Sequence, residues 1–463
     1  MLKGLEISEV TKNDINDSNR IDSEFYKKQF LRLEKQIQSN PYNELKDIAS
    51  FLIGPFGSAF DTENYLENGN YRYVRGQDVK PFVLKDDEKR YLPEADYRRL
   101  EKYALKEQDI LLSVVGTLGN ACIVQDKDIP AIFSCKSTVI RELTVLPTYL
   151  LTYLNCKYGN ELLQRRERGA IQKGLNLEDL KSILIPIATD KFQTKINKLF
   201  YDAQDKIELS KKLYYEAEEI FLNEIELKDW KPQQEIVSIK NFADFMVSGR
   251  LDAEYYQTKY DEIEAKIKAY KNGYAKVGEF FLQNKNSCRF DLSSYRYIEI
   301  GDINVSNGEI SYNIVDTAEL PANAKVEVTQ GDLLISKVRP YRGAIGIVNK
   351  EQHNAVASGA FTVLQENSSY KKEMLQVILR TSIYKDWLLK WNVGSSYPVI
   401  KDEDILSLTI PNIPEDIQAS IAAKIQESFA LKAESKRLLD LAKTAVELAI
   451  EQGEEKAIEL LNN

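Results

Sequence analysis

The chain has 463 residues, 43% of them hydrophobic and 29% charged, with a formal net charge of −9; this is a globular composition on a chain too long for one core. No run of about eighteen apolar residues occurs, so no membrane span is expected, and the start, Met1 to Glu6, lacks the apolar core of a signal peptide. Cys122, Cys135, Cys156 and Cys288 show neither metal-ligand spacing nor pairing, which predicts buried free thiols in a reducing cytoplasm.

In chain order, the first predicted element is a short amphipathic helix over roughly 22–39, introduced by Arg20-Ile21-Asp22, with Phe25, Phe30, Leu33 and Ile37 at helical spacing and Asp22 where an N-cap would sit. A β-rich region follows over roughly 42–186. Its short apolar runs, such as Ile110 to Val115 and Ala121 to Val124, are bounded by Gly, Pro, Asn and Asp. A helix is expected within it at about 147–164. A long helix is predicted over roughly 190–227, where Ile196, Phe200, Ala203, Ile207, Leu213, Ala217 and Ile220 fall mostly three or four apart. Trp230 to Gln234 reads as a seam.

After the seam the chain repeats itself. Arg20-Ile21-Asp22-Ser23-Glu24-Phe25-Tyr26 returns as Arg250-Leu251-Asp252-Ala253-Glu254-Tyr255-Tyr256, and Tyr71 to Val74 returns as Tyr295 to Ile298, with Asp78 falling on Asp302. Asp109 to Ser113 returns as Asp332 to Ser336, and Asp179 to Pro186 as Asp404 to Pro411. The offset stays between about 223 and 230 residues, far above the period of a solenoid. The elements recur as a helix over 252–271, a β-rich region over 272–411 with a helix at about 370–390, and a long helix over 415–451. Two rods of about 38 residues span roughly 57 Å each and are expected to pair as an antiparallel coiled coil. The fold class is therefore α+β: two tandem α/β domains separated by long helices, related by a pseudo-twofold. The expected divisions are 1–41, 42–187, 188–232, 233–271, 272–411 and 412–463. A pseudo-twofold suits a ligand with its own dyad, and duplex DNA is the obvious candidate.

Net negative charge argues weakly against nucleic acid. The distribution matters more than the sum. Glu447, Glu451, Glu454, Glu455 and Glu459 read as a solvated acidic face, while basic clusters lie at Lys89-Arg90, Arg98-Arg99, Arg165 to Arg168 and Lys337 to Arg342.

Catalytic motifs are scarce. The single histidine, His353, lies in one copy only and reads as structural. Asn40-Pro41-Tyr42 is one proline short of the loop an amino-methyltransferase needs. Gly116-Thr117-Leu118-Gly119 is too short for a phosphate-binding loop. Asp87-Glu88-Lys89 and Glu44-Leu45-Lys46 imitate part of a nuclease site, but neither recurs in the other copy. No catalytic residue, metal or cofactor is expected.

Two loops do carry chemistry. The turn after the Asp-Ile-Leu-Leu-Ser strand contains Ser113, Gly116, Thr117 and Asn120 in copy one and Lys337, Arg339, Tyr341 and Arg342 in copy two. Glycine admits close backbone approach, and hydroxyl, Lys and Arg donors suit phosphates or base edges. An ordinary hairpin with solvated charges would look similar; matched position with divergent side chains favours a recognition loop. The second loop contains Arg165, Arg168, Gln172 and Lys173, answered by Ser395, Ser396 and Tyr397, and phosphate contact and a plain surface turn are evenly matched there. Arg75, Gln77 and Lys80, following the Tyr-Arg-Tyr-Val strand, and Arg296 in its repeat complete the candidate DNA-binding set.

These residues resemble the specificity subunits of type I restriction–modification systems over nearly the whole chain. The resemblance rests on Gln108-Asp109-Ile110-Leu111-Leu112-Ser113, on Gly331-Asp332-Leu333-Leu334-Ile335-Ser336, on the Gly169-Ala170-Ile171-Gln172-Lys173 and Gly394-Ser395-Ser396-Tyr397 loops, and on Ile410-Pro411-Asn412-Ile413-Pro414-Glu415-Asp416-Ile417-Gln418. The corresponding stretch Ile185 to Gln193 keeps only its first proline and the glutamine. About forty residues precede the first recognition domain, which departs from many members and leaves open a related, type II-like system with a fused methyltransferase–nuclease partner. The resemblance implies a non-catalytic, cytoplasmic chain that reads a split target in double-stranded DNA, one half-site per domain, with the helices as a ruler. It implies two methyltransferase subunits as partners, and restriction subunits through the assembled complex. A duplicated scaffold binding two proteins and no DNA is the competing reading.

Overall fold

The computed structural model describes residues 8–462 except 19, 57–58, 170–172, 234, 236 and 395–396. The chain divides into two compact units, Met1–Lys206 with Ala433–Asn463, and Ile207–Lys432. Among the described residues no helix is long and apolar enough to cross a membrane.

Unit one is built on a four-stranded antiparallel sheet in the order Ser50–Ile53, Ser137–Arg141, Ile110–Ser113, Ala121–Ile123. Ile110–Ser113 is an inner strand buried along its whole length, which is why Ile110 to Leu112 are consecutively apolar rather than alternating. A three-stranded sheet places Tyr71–Val74 between Arg90–Leu92 and Ala131–Phe133, parallel to the latter. A two-stranded ribbon, Tyr42–Glu44 against Leu184–Pro186, closes the region. Unit two repeats the plan. Its four-stranded sheet runs Phe281–Gln283, Phe361–Glu366, Leu333–Ser336, Ile345–Ile347, and Tyr274–Lys276 pairs with Thr409–Pro411. Its other sheet gains a fourth strand, Ala324–Val328.

The repeated aspartates fix turns. Asp109 accepts from the amide of Lys106 (2.7 Å) and pairs with Arg141 (2.6 Å). Burial nevertheless pushes its carboxyl above the usual range. Asp332 accepts from the amide of Thr329 (3.0 Å), from Asn284 (3.0 Å) and from Gln365 (2.9 Å). Asp78 and Asp302 each accept from the backbone amide three residues earlier, at 2.8 Å.

The helix expected at 147–164 is two helices, Pro147–Asn155 and Lys157–Arg165, and that at 370–390 is Lys372–Arg380, Ser382–Trp387 and a 3-10 turn, Leu388–Trp391. The helix expected from Asp22 begins later, at Lys28, and its counterpart runs Thr258–Lys268. Asp22 instead accepts from the amide of Phe25 (3.2 Å) and holds a turn.

The long helices are Asp190–Glu224 and Glu415–Gln452. In unit one, Phe192, Ile196 and Phe200 share a core with Ala442, Ala445, Val446 and Ile450, and Ser435 donates to the carbonyl of Ala203 (2.8 Å). In unit two, Ala217 and Phe221 share a core with Ile421 and Ile425, and Ser428 meets Ser210 at 2.8 Å. Within each unit the contacts climb one helix as they descend the other, so the helices run antiparallel.

The acidic face expected to be solvated is partly engaged. Glu447 accepts from the amide of Lys157 (2.7 Å) and Glu454 from that of Thr189 (2.8 Å), so two carboxylates sit at the starts of helices, where exposed amides and the helix dipole favour negative charge. Glu451 accepts from the Tyr158 hydroxyl at 3.0 Å. The four cysteines are free, but only Cys122 and Cys156 are buried; Cys135 and Cys288 are half-buried. His353 accepts at Nδ1 from the amide of Gln330 (3.3 Å).

Candidate nucleic-acid interface

The two loops singled out from sequence meet in each unit. In unit one the turn between Ile110–Ser113 and Ala121–Ile123 is closed by the Gly119 amide on the Ser113 carbonyl (3.0 Å), with Ser113 Oγ 3.3 Å from Thr117 Oγ1. Gly116 has φ +87°, and a Cβ there would meet nothing within 4 Å, so its backbone is open to a close approach. The second loop docks beside this turn. Gly174 bridges to Val115 and to Arg168, and the Leu175 amide donates to the Val114 carbonyl (2.9 Å).

Unit two uses the same joint. Val399 bridges to Val338 and to Val393, and the Ile400 amide donates to the Lys337 carbonyl at 3.0 Å. The Arg339 amide donates to the Pro398 carbonyl (2.8 Å), and its guanidinium lies 4.9 Å from the Tyr397 ring centroid. Arg339 takes φ +49° ahead of the 3-10 turn Pro340–Arg342, and Gly343 takes +77° after it. A side chain at Gly343 would sit 3.1 Å from Lys385 Cδ, as well as being strained.

The candidate residues separate by what they touch. Thr117, Lys173, Arg342 and Tyr397 are exposed on the joined loops, and Tyr341 is half-exposed. Lys173 pairs loosely with Glu167 (3.0 Å). Asn120 turns inward, donating to the Val79 carbonyl (3.2 Å), which draws the Arg75–Lys80 segment against the hairpin. In that segment Gln77 is exposed and Lys80 half-buried. Arg75 is held by Asp78 (2.8 Å) and the Glu88 carbonyl (2.9 Å). Lys337 pairs with Asp402 (3.1 Å). Burial opposes that carboxylate's charge, but hydrogen bonds from Thr362 and Lys337 outweigh it and hold Asp402 below the usual range. Arg168 pairs with Asp179 (2.8 Å). Arg296 stands on the other sheet, 5.6 Å from the Tyr312 ring. Arg165 is buried against the interior, donating to the Phe25 carbonyl (2.8 Å), pairing with Glu34 and lying 4.1 Å from the Phe25 ring. Gln172, Ser395 and Ser396 lie outside the described residues.

Sequence reading missed the supports beneath the loops. Arg380 donates to the carbonyls of Gly343 (2.7 Å) and Val305 (3.0 Å) and to the Tyr214 hydroxyl (2.6 Å), pinning the unit-two turn. Asn155, at the matching helix end, donates to the Ala121 carbonyl (3.0 Å). A polar residue closing the helix directly after apolar ones, Val377 to Leu379 before Arg380 and Tyr153-Leu154 before Asn155, is the one local sign of this role.

Residues 42–219 match the family model described as the type I restriction modification DNA specificity domain. The chain is 30% identical over 136 residues to the type I restriction enzyme HindI specificity subunit of Haemophilus influenzae, a match that spans 28% of this chain and 29% of that protein. Among solved structures it is similar to the type I restriction–modification S subunit from M. genitalium, at 13% identity and TM-score 0.42, covering 89% of this chain and 95% of that one. It is also similar to the HsdS subunit from Thermoanaerobacter tengcongensis, at 15% identity and TM-score 0.28, covering 89% and 97%. Over residues 42–219 the chain is therefore similar to the type I restriction–modification DNA specificity family.

Proposed function

We propose that the chain reads a bipartite sequence in double-stranded DNA, each unit contacting one half-site through its joined loops. The observation that carries this is the same two-loop joint built twice with different exposed chemistry: Thr117 with the open Gly116 backbone and Lys173 in unit one, and Arg342, Tyr341 and Tyr397 in unit two. A common joint with divergent donors is what two readers of different base blocks need, since base edges differ in donor and acceptor pattern. The paired and largely covered Arg75 and Lys337 set loop shape rather than reach outward, whereas Arg168 is paired with Asp179 but stays exposed.

In this reading the chain carries no chemistry of its own. It docks two modification subunits, which transfer the methyl group, and meets restriction subunits through the assembled complex. The test is a map of methylated sites in the host genome with and without the gene. A motif of two defined blocks separated by unspecified bases should vanish on deletion. An unchanged map, or loss of one continuous motif, would refute the bipartite reading.

A further inference from the structure

The repeated Arg-(Ile/Leu)-Asp element has no place in the loop surface, yet the structure builds it twice with a corresponding set of partners. Arg20 donates from Nε and Nη2 to Asp22 at 2.6 and 2.9 Å, and from Nη1 and Nη2 to the carbonyls of Arg166 and Glu167 at 3.3 and 3.0 Å. Arg250 donates to Asp252 at 2.8 and 2.6 Å, and to the carbonyls of Trp391 and Asn392 at 3.2 and 2.8 Å. In both cases an aromatic ring lies 4.8 Å from the guanidinium, Phe25 or Tyr255. In both, a tyrosine hydroxyl donates back to the arginine's own carbonyl: Tyr26 at 2.9 Å and Tyr256 at 2.8 Å.

What the two arginines grip is the informative part. Arg166 and Glu167 immediately precede Arg168, whose amide and carbonyl pair with Gly174; Trp391 and Asn392 immediately precede Val393, which pairs with Val399 in the same way. Each fork therefore seizes the backbone at the point where the second DNA-facing loop leaves the fold. Arg20 is 6% exposed and its side chain bonds Asp22 and the carbonyls of Arg166 and Glu167, so its fork is already committed within the protein.

We infer that Arg20 and Arg250 are positioning residues, each a latch that sets the base of the second loop in its own unit, so that this base is already in place when DNA is met. This rests on the reading of those loops as DNA contacts. A rigid, forked cation suits the task because it spans a carboxylate and two successive carbonyls at once, which a lysine cannot. A loop held before binding loses less freedom on binding. Because the element occurs once per unit, each latch serves one half-site.

The test uses the full chain carrying Arg250→Ala or Arg250→Lys, with Arg20→Ala and Arg20→Lys as mirror variants, and two readouts. Hydrogen exchange without DNA should show the amides of Val393, Val399 and Ile400 exchanging about tenfold faster or more in the Arg250 variants. Those of Arg168, Gly174 and Leu175 should be unchanged, and those of Leu333–Ser336 should stay protected as the sign of an intact fold. If the alanine variant does not fold, the lysine variant decides, since it keeps the charge and removes only the fork. Unchanged exchange at the loop base in the folded variants would overturn the latch. In the host's methylation map, Arg250 variants should relax one block of the motif and Arg20 variants the other. Faster exchange with both blocks intact would overturn the DNA role of these loops, and the positioning role with it, while leaving the bipartite reading to the deletion map.

Discussion

At the scale of single residues, burial divides chemical types that sequence groups together. Burial pushes the Cys156 thiol up to about 12 and that of Cys122 upward as well. The thiolate is the reactive form. A thiol reagent at neutral pH should therefore label Cys135 and Cys288 in the native chain, with Cys122 and Cys156 reacting only after denaturation; the check is mass spectrometry of labelled peptides. The arginines divide similarly. Arg342 is exposed at the turn, whereas Arg165 is sealed against Glu34, which lies 131 residues earlier. Arg342→Ala is expected to cost about 1–3 kcal/mol of DNA affinity and to relax one half-site if it reads a base. If it meets a phosphate, binding should weaken for all sequences and the salt slope fall by about one unit. Competition binding across salt concentrations distinguishes these outcomes, and full affinity with unchanged choice would remove Arg342 from the interface. The Arg165 cluster was also a candidate in sequence, at even odds with a plain surface turn, because charge density is local and legible, while its partner comes from a distant helix.

At the scale of elements, the long helices followed from periodicity, but what they hold did not. Lys432 is buried in the second long helix, its Nζ has no hydrogen-bond partner, and burial lowers its pKa from 10.5 to about 8. Glu309 opposes that shift, while Arg380 and Lys211 add to it. Because the folded pKa lies below the unfolded one, the folded chain binds fewer protons between those values, and stability rises with pH across that window. The full penalty applies below about pH 8, and a difference of this size is worth roughly 3 kcal/mol at most. Thermal midpoints should therefore climb from pH 7.5 to 9.5 more in the wild type than in Lys432→Met, and the variant should be the more stable at pH 7.5. Parallel pH dependences would mean that Lys432 finds a counter-charge. The strands were legible for the reason the helices were: inner strands such as Ile110–Ser113 and Leu333–Ser336 carry three consecutive apolar residues before a serine and are bounded by turn residues.

At the scale of the whole molecule, the duplication predicts separable half-sites. Thr117→Ala or Lys173→Ala in unit one should disturb one block of the methylated motif, and Arg342→Ala or Tyr397→Ala in unit two the other. A double variant drawn from both units should show the sum of the two losses, because sites without shared partners add. The measurement is the methylation map of strains carrying each variant. Loss of both blocks from a single substitution would contradict one reader per unit.

By itself the sequence determined the tandem plan, the turn-bounded strands, the two loops in each copy and the long helices, since each is written in spacing over a few to a few tens of residues. Only the tertiary structure decided which charges work inward. Arg165 goes to Glu34, Glu447 and Glu454 go to helix starts, and Arg20 and Arg250 go to the loop bases. Those pairings join residues 131 to 290 positions apart, and a guanidinium or carboxylate has the same local signature whether it ends in water or against a backbone that returns from across the fold.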